Sequence, residues 1–122
     1  MEKLYIVVRN DLLPGLQMAQ AYHAGREFAA RHPDLEFQWF RGSNNLAILQ
    51  VPDKAALEAL RERADSLEIA YADYHEPSLG GALTAISFAA EAKLILSSLP
   101  LALRSQAPAV QSSAELSPAP LH

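Results

Sequence analysis

Arg9, Asn10 and Asp11 stand in a row at the end of an apolar run, and Gln20 and His23 follow, three apart, on one helical face. A second polar stretch carries Asp73, His75 and Glu76, with Thr84 shortly after. These residue types can hydrolyse a carbonyl compound. A carboxylate, Glu76 or Asp11, can orient a water, and Gln20, Thr84 or Arg9 can stabilise the oxyanion formed when that water adds. Each residue also has a plainer use. Asp11 can brace the loop before a helix. A lone helical histidine such as His23 more often hydrogen-bonds within its fold than does chemistry. Thr84 suits any strand, and Glu76, just before Pro77, can organise a turn.

Other chemistries lack their residues. The chain has no cysteine, which excludes disulfides, thiolate metal sites and a cysteine nucleophile. His23, His32, His75 and His122 show no His-x-x-x-His spacing, so no metal is expected. Pro14-Gly15 alone makes no phosphate loop, and no Gly-x-Ser-x-Gly elbow occurs. No cofactor is expected.

The elements that must position the polar groups follow from periodicity. Leu4 to Val8 is a continuous apolar run, suited to a strand covered on both faces. Pro14-Gly15 punctuates a loop, and Met18, Ala21, Tyr22, Gly25, Phe28 and Ala29 then form the apolar stripe of a helix that ends near Arg31, before Pro33. Leu35 to Phe40 alternates and reads as a strand or an extended connection. Leu46 to Val51 is a second firm strand. Asp53 caps a helix over 54–64 whose inward stripe is Leu57, Leu60 and Ala64. Leu67 to Ala72 reads as a half-buried third strand, Asp73 to Gly81 as a polar loop, and Ala82 to Phe88 as a fourth strand. That loop is too short for a helical crossover, so strands three and four should be antiparallel. Ala89 to Leu99 has helical composition.

The expected fold is a three-layer α/β/α domain over residues 1–100, with a small mixed four-stranded sheet in the order β-α-β-α-β-β-α and right-handed crossovers. Residues 101–122 are expected to be a flexible tail, being rich in Ser, Pro and Ala. Ligands of open α/β sheets bind at the carboxyl ends of strands. If the first and third strands are neighbours, their ends bring the two polar loops together.

The totals bound this reading. The chain has 122 residues, 50% hydrophobic, enough for one cored domain. No apolar run approaches the roughly 18 residues of a membrane span. No secretory signal region is evident, and the lack of cysteine is compatible with the cytoplasm. Net charge is -4, with ten Lys and Arg, an unhelpful balance for a nucleic-acid partner.

The run Val7 to Leu12 (VVRNDL), then Gly15, Ala19-Gln20 and His23-Ala24, resembles the opening of the peptidyl-tRNA hydrolases of the archaeal and eukaryotic type. There a strand ends in Val-Arg-x-Asp-Leu, and a helix follows reading roughly Gly-Lys-x-Ala-Ala-Gln-x-x-His-Ala. Glu76 to Ile86 (EPSLGGALTAI) is similar to the family's closing loop and strand in shortened form. The resemblance covers about 4–96. It implies a small mixed sheet between helices, often a homodimer, and metal-free hydrolysis of the ester joining a peptide to the tRNA 3′ end. It places Asp11, Gln20, His23 and Thr84 on matching positions, with Glu76 replacing the family's loop aspartate. Arg9 and Asn10 would bind substrate. One departure stands out: where the family has its helix-start lysine, this chain has Leu16, and Gln17 beside it cannot supply a cation. Two function classes follow, a divergent hydrolase acting on peptidyl-tRNA, and a binding module that keeps the fold without the reaction. A hydrolase of another ester or amide at the same pocket is a third.

Overall fold

The computed structural model describes residues 1–104. The elements are β1 (Lys3–Arg9), α1 (Pro14–Arg31), α2 (Pro33–Arg41), β2 (Asn45–Val51), α3 (Lys54–Ser66), β3 (Tyr71–Glu76), β4 (Ala82–Phe88) and α4 (Lys93–Leu96), with 3-10 turns at Pro77–Leu79 and Ala90–Ala92. The sheet order is β2-β1-β4-β3. β1 runs parallel to β2, whereas β4 is antiparallel to both β1 and β3. The small mixed sheet and the antiparallel third and fourth strands are as the sequence predicts.

β1 is buried on both faces because alternate residues enter different layers. Tyr5 and Val7 pack with Leu57 and Leu60 of α3 and with Ile95 and Leu96 of α4. Ile6 and Val8 pack with Ala21 and Ala24 of α1, and Leu4 with Phe28. Helices therefore cover both faces, giving three layers. No helix of the described residues is long and apolar enough to cross a membrane.

Five local expectations need correction. The alternating segment Leu35 to Phe40 is helical, part of α2. Leu35 and Trp39 lie four apart, and that spacing seats both against Leu4 and Phe28. Pro33 occupies the first turn of that helix, where its missing N–H costs nothing, and Pro14 does the same for α1 rather than sitting in a loop. The third strand is Tyr71–Glu76, inside the stretch read as a polar loop. Ile69 N–H returns to the Ala64 carbonyl and Glu68 takes a positive φ of 56°, so 67–70 closes α3 instead. The helix read over 89–99 is only a 3-10 turn followed by the short α4. Residues 101–104 lie along β2, with Leu101 bridged to Leu49 and Ala102 N–H bonded to the Ile48 carbonyl. Those four residues begin the stretch expected as a flexible tail, 101–122; its remainder, 105–122, lies outside the described residues.

Polar residues survive on edge strand β3 because both helical layers reach around it. Arg31 of α1 donates to Asp73 Oδ1 (2.8 Å), Arg61 of α3 donates to Oδ2 (2.7 Å), and His75 Nε2 meets Oδ2 (3.2 Å). Burial pushes the Asp73 carboxyl up, but these three partners outweigh it and hold the group well below the usual carboxylate range. A depressed carboxyl stabilises the fold above its unfolded value of about 3.9 and loses that contribution as pH falls toward the folded value. Arg31 stays substantially exposed, so screening discounts the clasp. Asp73→Asn should cost about 1–2 kcal/mol at pH 7. The urea midpoints of variant and parent should converge as pH falls from 4 toward 2, where the parent's carboxyl begins to protonate.

Candidate active site

The polar groups converge at one end of the sheet, though not by the expected route. β1 and β3 are not neighbours; β4 lies between them. Because β4 is antiparallel to both, its first residues share an edge with the carboxyl ends of β1 and β3. Glu76 and Thr84 therefore meet Gln20 of α1 there, His23 of α1 stacks on Tyr74, and Arg9 stands at the same end of the sheet.

Gln20 and Thr84 lie inside the protein and are joined to Glu76. The Thr84 hydroxyl donates to Gln20 Oε1, and Gln20 Nε2 donates to Glu76 Oε1 at 2.9 Å. A carboxylate only accepts, which fixes the Gln20 amide with its nitrogen toward Glu76 and its oxygen toward Thr84. The other Glu76 oxygen accepts from the Ser78 backbone N–H (3.1 Å) and hydroxyl (3.0 Å). The Gln20 amide is the main group holding the Glu76 carboxyl below its ordinary value, followed by the Ser78 N–H, with burial opposing; the Ser78 hydroxyl and the charge of His23 add to the lowering. Glu76 is thus an ionised carboxylate with both oxygens fixed in direction at the sheet edge.

His23 stacks on Tyr74, ring centroids 4.6 Å apart and planes 21° off parallel. The other described histidines serve the frame: His32 bonds the Tyr71 carbonyl, and His75 bonds Gly81 O and Asp73. His122 lies outside the described residues. Among those residues no group of His, Asp and Glu could hold a metal ion.

Arg9 and Asp11 form a separate unit. Arg9 Nε and Nη2 grip the two Asp11 oxygens, each at 2.8 Å, and Nη1 donates to the Leu83 carbonyl at 3.1 Å. The Arg9 hydrogen bond is the main cause that lowers the Asp11 carboxyl, against a smaller burial effect. Asp11 is therefore braced by a bidentate cation, which commits both of its oxygens. Asn10 is exposed, and its backbone N–H bonds the Val51 carbonyl. Leu16, the third residue of α1, is half-buried.

Sequence reasoning missed Tyr74, Ser78 and Gln17. Ser78 was readable, since a carboxylate two residues before a serine can cap a turn. Gln17 lies one turn before Gln20 on the inward face, which became legible only once that face was known. The apolar stripe read from Met18 and Tyr22 is rotated: Gln17, Gln20, Ala21, Ala24 and Phe28 are buried, whereas Met18 and Tyr22 are 63% and 66% exposed.

Residues 2–95 match the family model described as Peptidyl-tRNA hydrolase PTH2. Among solved structures, a protein of unknown function from Agrobacterium tumefaciens strain C58 is similar at a TM-score of 0.60 and 12% identity, covering 81% of this chain and 96% of that one. At that identity the likeness concerns the fold alone. No curated protein matches.

Proposed function

Because the chain belongs to the peptidyl-tRNA hydrolase PTH2 family, we propose that it hydrolyses the ester between a peptide and the 3′ end of tRNA. The observation that carries this reading is the Thr84–Gln20–Glu76 relay, which holds an ionised carboxylate in a fixed direction at the strand ends. Glu76 orients a water and receives its proton as the water oxygen bonds to the acyl carbon. The acyl carbon–oxygen bond to the ribose then breaks, and the ribose oxygen takes the proton back from Glu76 and leaves as the tRNA hydroxyl, restoring the carboxylate. Gln20 and Thr84 act as positioning residues, since their polar atoms are buried and engaged. Arg9, fixed by Asp11 and by the Leu83 carbonyl, places a cation beside the site for the substrate carbonyl or a phosphate, with exposed Asn10 next to it. His23, held flat on Tyr74, offers a second donor.

This reading includes a cytoplasmic setting and a homodimer, the latter checked by light scattering. Release of tRNA from a purified peptidyl-tRNA tests the activity. Turnover well above buffer supports it, and none from folded protein overturns it. One feature favours a second reading, a binding module without the reaction: Leu16 stands where the family pattern has lysine.

A further inference from the structure

Glu76 ends β3 and begins a tight turn. Pro77 opens the 3-10 turn Pro77–Leu79, and its ring fixes φ there. Gly80 and Gly81 follow with φ of 68° and 78°, a left-handed backbone that favours glycine. The Gly80 N–H bonds the Pro77 carbonyl at 3.1 Å, and the Gly81 N–H returns to the Glu76 carbonyl at 2.9 Å. His75 Nδ1 bonds the Gly81 carbonyl from the strand side. The turn is thus closed on its own strand, and it holds Ser78 against the Glu76 side chain.

A carboxylate offers about four acceptor directions, about two on each oxygen. Among the described residues, donors fill all but one of them at Glu76. Oε2 accepts from the Ser78 N–H at 3.1 Å and from the Ser78 hydroxyl at 3.0 Å, which uses both of its directions. Oε1 accepts from Gln20 Nε2 alone, which leaves one direction open. A carboxylate that only capped the turn would need Oε2 and no partner inside the protein. Here the other oxygen is drawn onto buried Gln20, so the two oxygens are made unlike.

We propose that Ser78 is a positioning residue for the hydrolysis: by closing both acceptor directions of Glu76 Oε2, it leaves Oε1 as the atom that takes the proton of the attacking water. The inference rests on the hydrolase reading and deepens it. The proton passes from the water to Oε1 as the water oxygen bonds to the acyl carbon, and then from Oε1 to the departing ribose oxygen. Both transfers use the one open direction, beside Gln20, so a single geometry serves both steps. Were Oε2 open as well, water would divide between two seats, and one of them faces the turn. The Ser78 hydroxyl spends its hydrogen on Oε2 and needs no contact with a reacting atom.

The test sets Ser78→Ala beside Ser78→Thr, with release of tRNA from peptidyl-tRNA as one readout and direct titration of the Glu76 carboxyl by carbon NMR as the other. Ser78 is exposed and alanine keeps the backbone N–H, so the turn should persist. Loss of a hydrogen bond to a charged group should lower kcat about tenfold, with KM within about twofold of the parent. The Ser78 hydroxyl helps to hold the Glu76 carboxyl low, so in Ser78→Ala both its titration and the acid limb of kcat/KM should move to higher pH. Ser78→Thr keeps the hydroxyl and should restore most of the rate and the parent's acid limb. A residue that only stabilised the turn would move the urea midpoint and leave the acid limb in place. Ser78→Ala with the parent's kcat and acid limb overturns the proposal, and so does Ser78→Thr as slow as Ser78→Ala. A Glu76 titration unmoved by Ser78→Ala overturns it even where the parent cleaves nothing. A parent without cleavage whose Glu76 titration does move upholds the hold of Ser78 on the carboxylate and sinks the hydrolase reading alone.

Discussion

Glu76→Gln should lower the rate of tRNA release about a hundredfold or more, a loss typical of removing a positioned proton acceptor. The substitution keeps the side chain's size and shape. It removes the charge, and it breaks the pattern of partners. Glu76 now receives hydrogen bonds at both ends, from Gln20 on one oxygen and from Ser78 on the other. An amide can accept at only one end. Its nitrogen would face the Gln20 nitrogen or the Ser78 N–H, donor against donor. The fold should tolerate this, because Glu76 sits at the sheet edge with access to water. The expected signature is therefore a large fall in kcat with a small change in urea midpoint. The parent's pH profile supplies an independent check. Its Glu76 carboxyl is depressed, so the active ionised form persists down through the acid range. The acid limb of kcat/KM should lie below about 4.3, the ordinary glutamate value. A limb near 6 or above, or a variant within a few-fold of the parent, would move the role away from Glu76.

Much of this arrangement is legible in the sequence, and the losses have physical causes. β1, β2, β4 and α3 are announced by apolar runs or by helical spacing with an N-cap, and the structure confirms the cap: the Ala56 N–H donates to Asp53. β3 is hidden because an edge strand need not be apolar, and its polar residues are satisfied by arginines from two other elements, Arg31 and Arg61. α2 is hidden because the alternation of Leu35, Phe37 and Trp39 also contains an i,i+4 pair. Arg41 lies over the Phe37 and Phe40 rings, which lessens the exposure that a helix imposes on them. The rotation of α1 is the most instructive miss. Small residues, Ala21 and Ala24, face the sheet, and Gly25 comes so near that an added Cβ would lie 3.4 Å from the Ile6 side chain. Close packing selects small residues over large ones there, so the bulky Met18 and Tyr22 are left outward. The site was legible as a set of residues but not as a relay. That Gln20 and Thr84 are buried, and so serve Glu76, depends on tertiary contacts between residues 56 and 64 positions apart.

Leu16→Lys should raise kcat/KM on peptidyl-tRNA about tenfold or more, since a charge-assisted donor at a developing oxyanion or phosphate is commonly worth that much. Two other cations are partly engaged. Arg9 commits three of its five N–H donors to Asp11 and Leu83, and Arg41 lies over two aromatic rings. A lysine on the first turn of α1 opposes the helix dipole, costing about 0.3–1 kcal/mol of stability. Higher activity from a slightly less stable protein is thus the expected combination. Salt separates two ways in which the lysine could act. If it grips a phosphate, the log–log slope of binding against salt should steepen by roughly 0.7–0.9, the value for one added contact. If it meets only the reacting carbonyl, kcat rises and the slope stays put. Should the parent prove inactive while Leu16→Lys cleaves, the relay would be an intact catalytic frame lacking one charge, and the binding-module reading would describe the present chain. A parent that is active, with no gain from lysine, would show that Arg9 already supplies the positive charge the reaction needs, Asp11 notwithstanding.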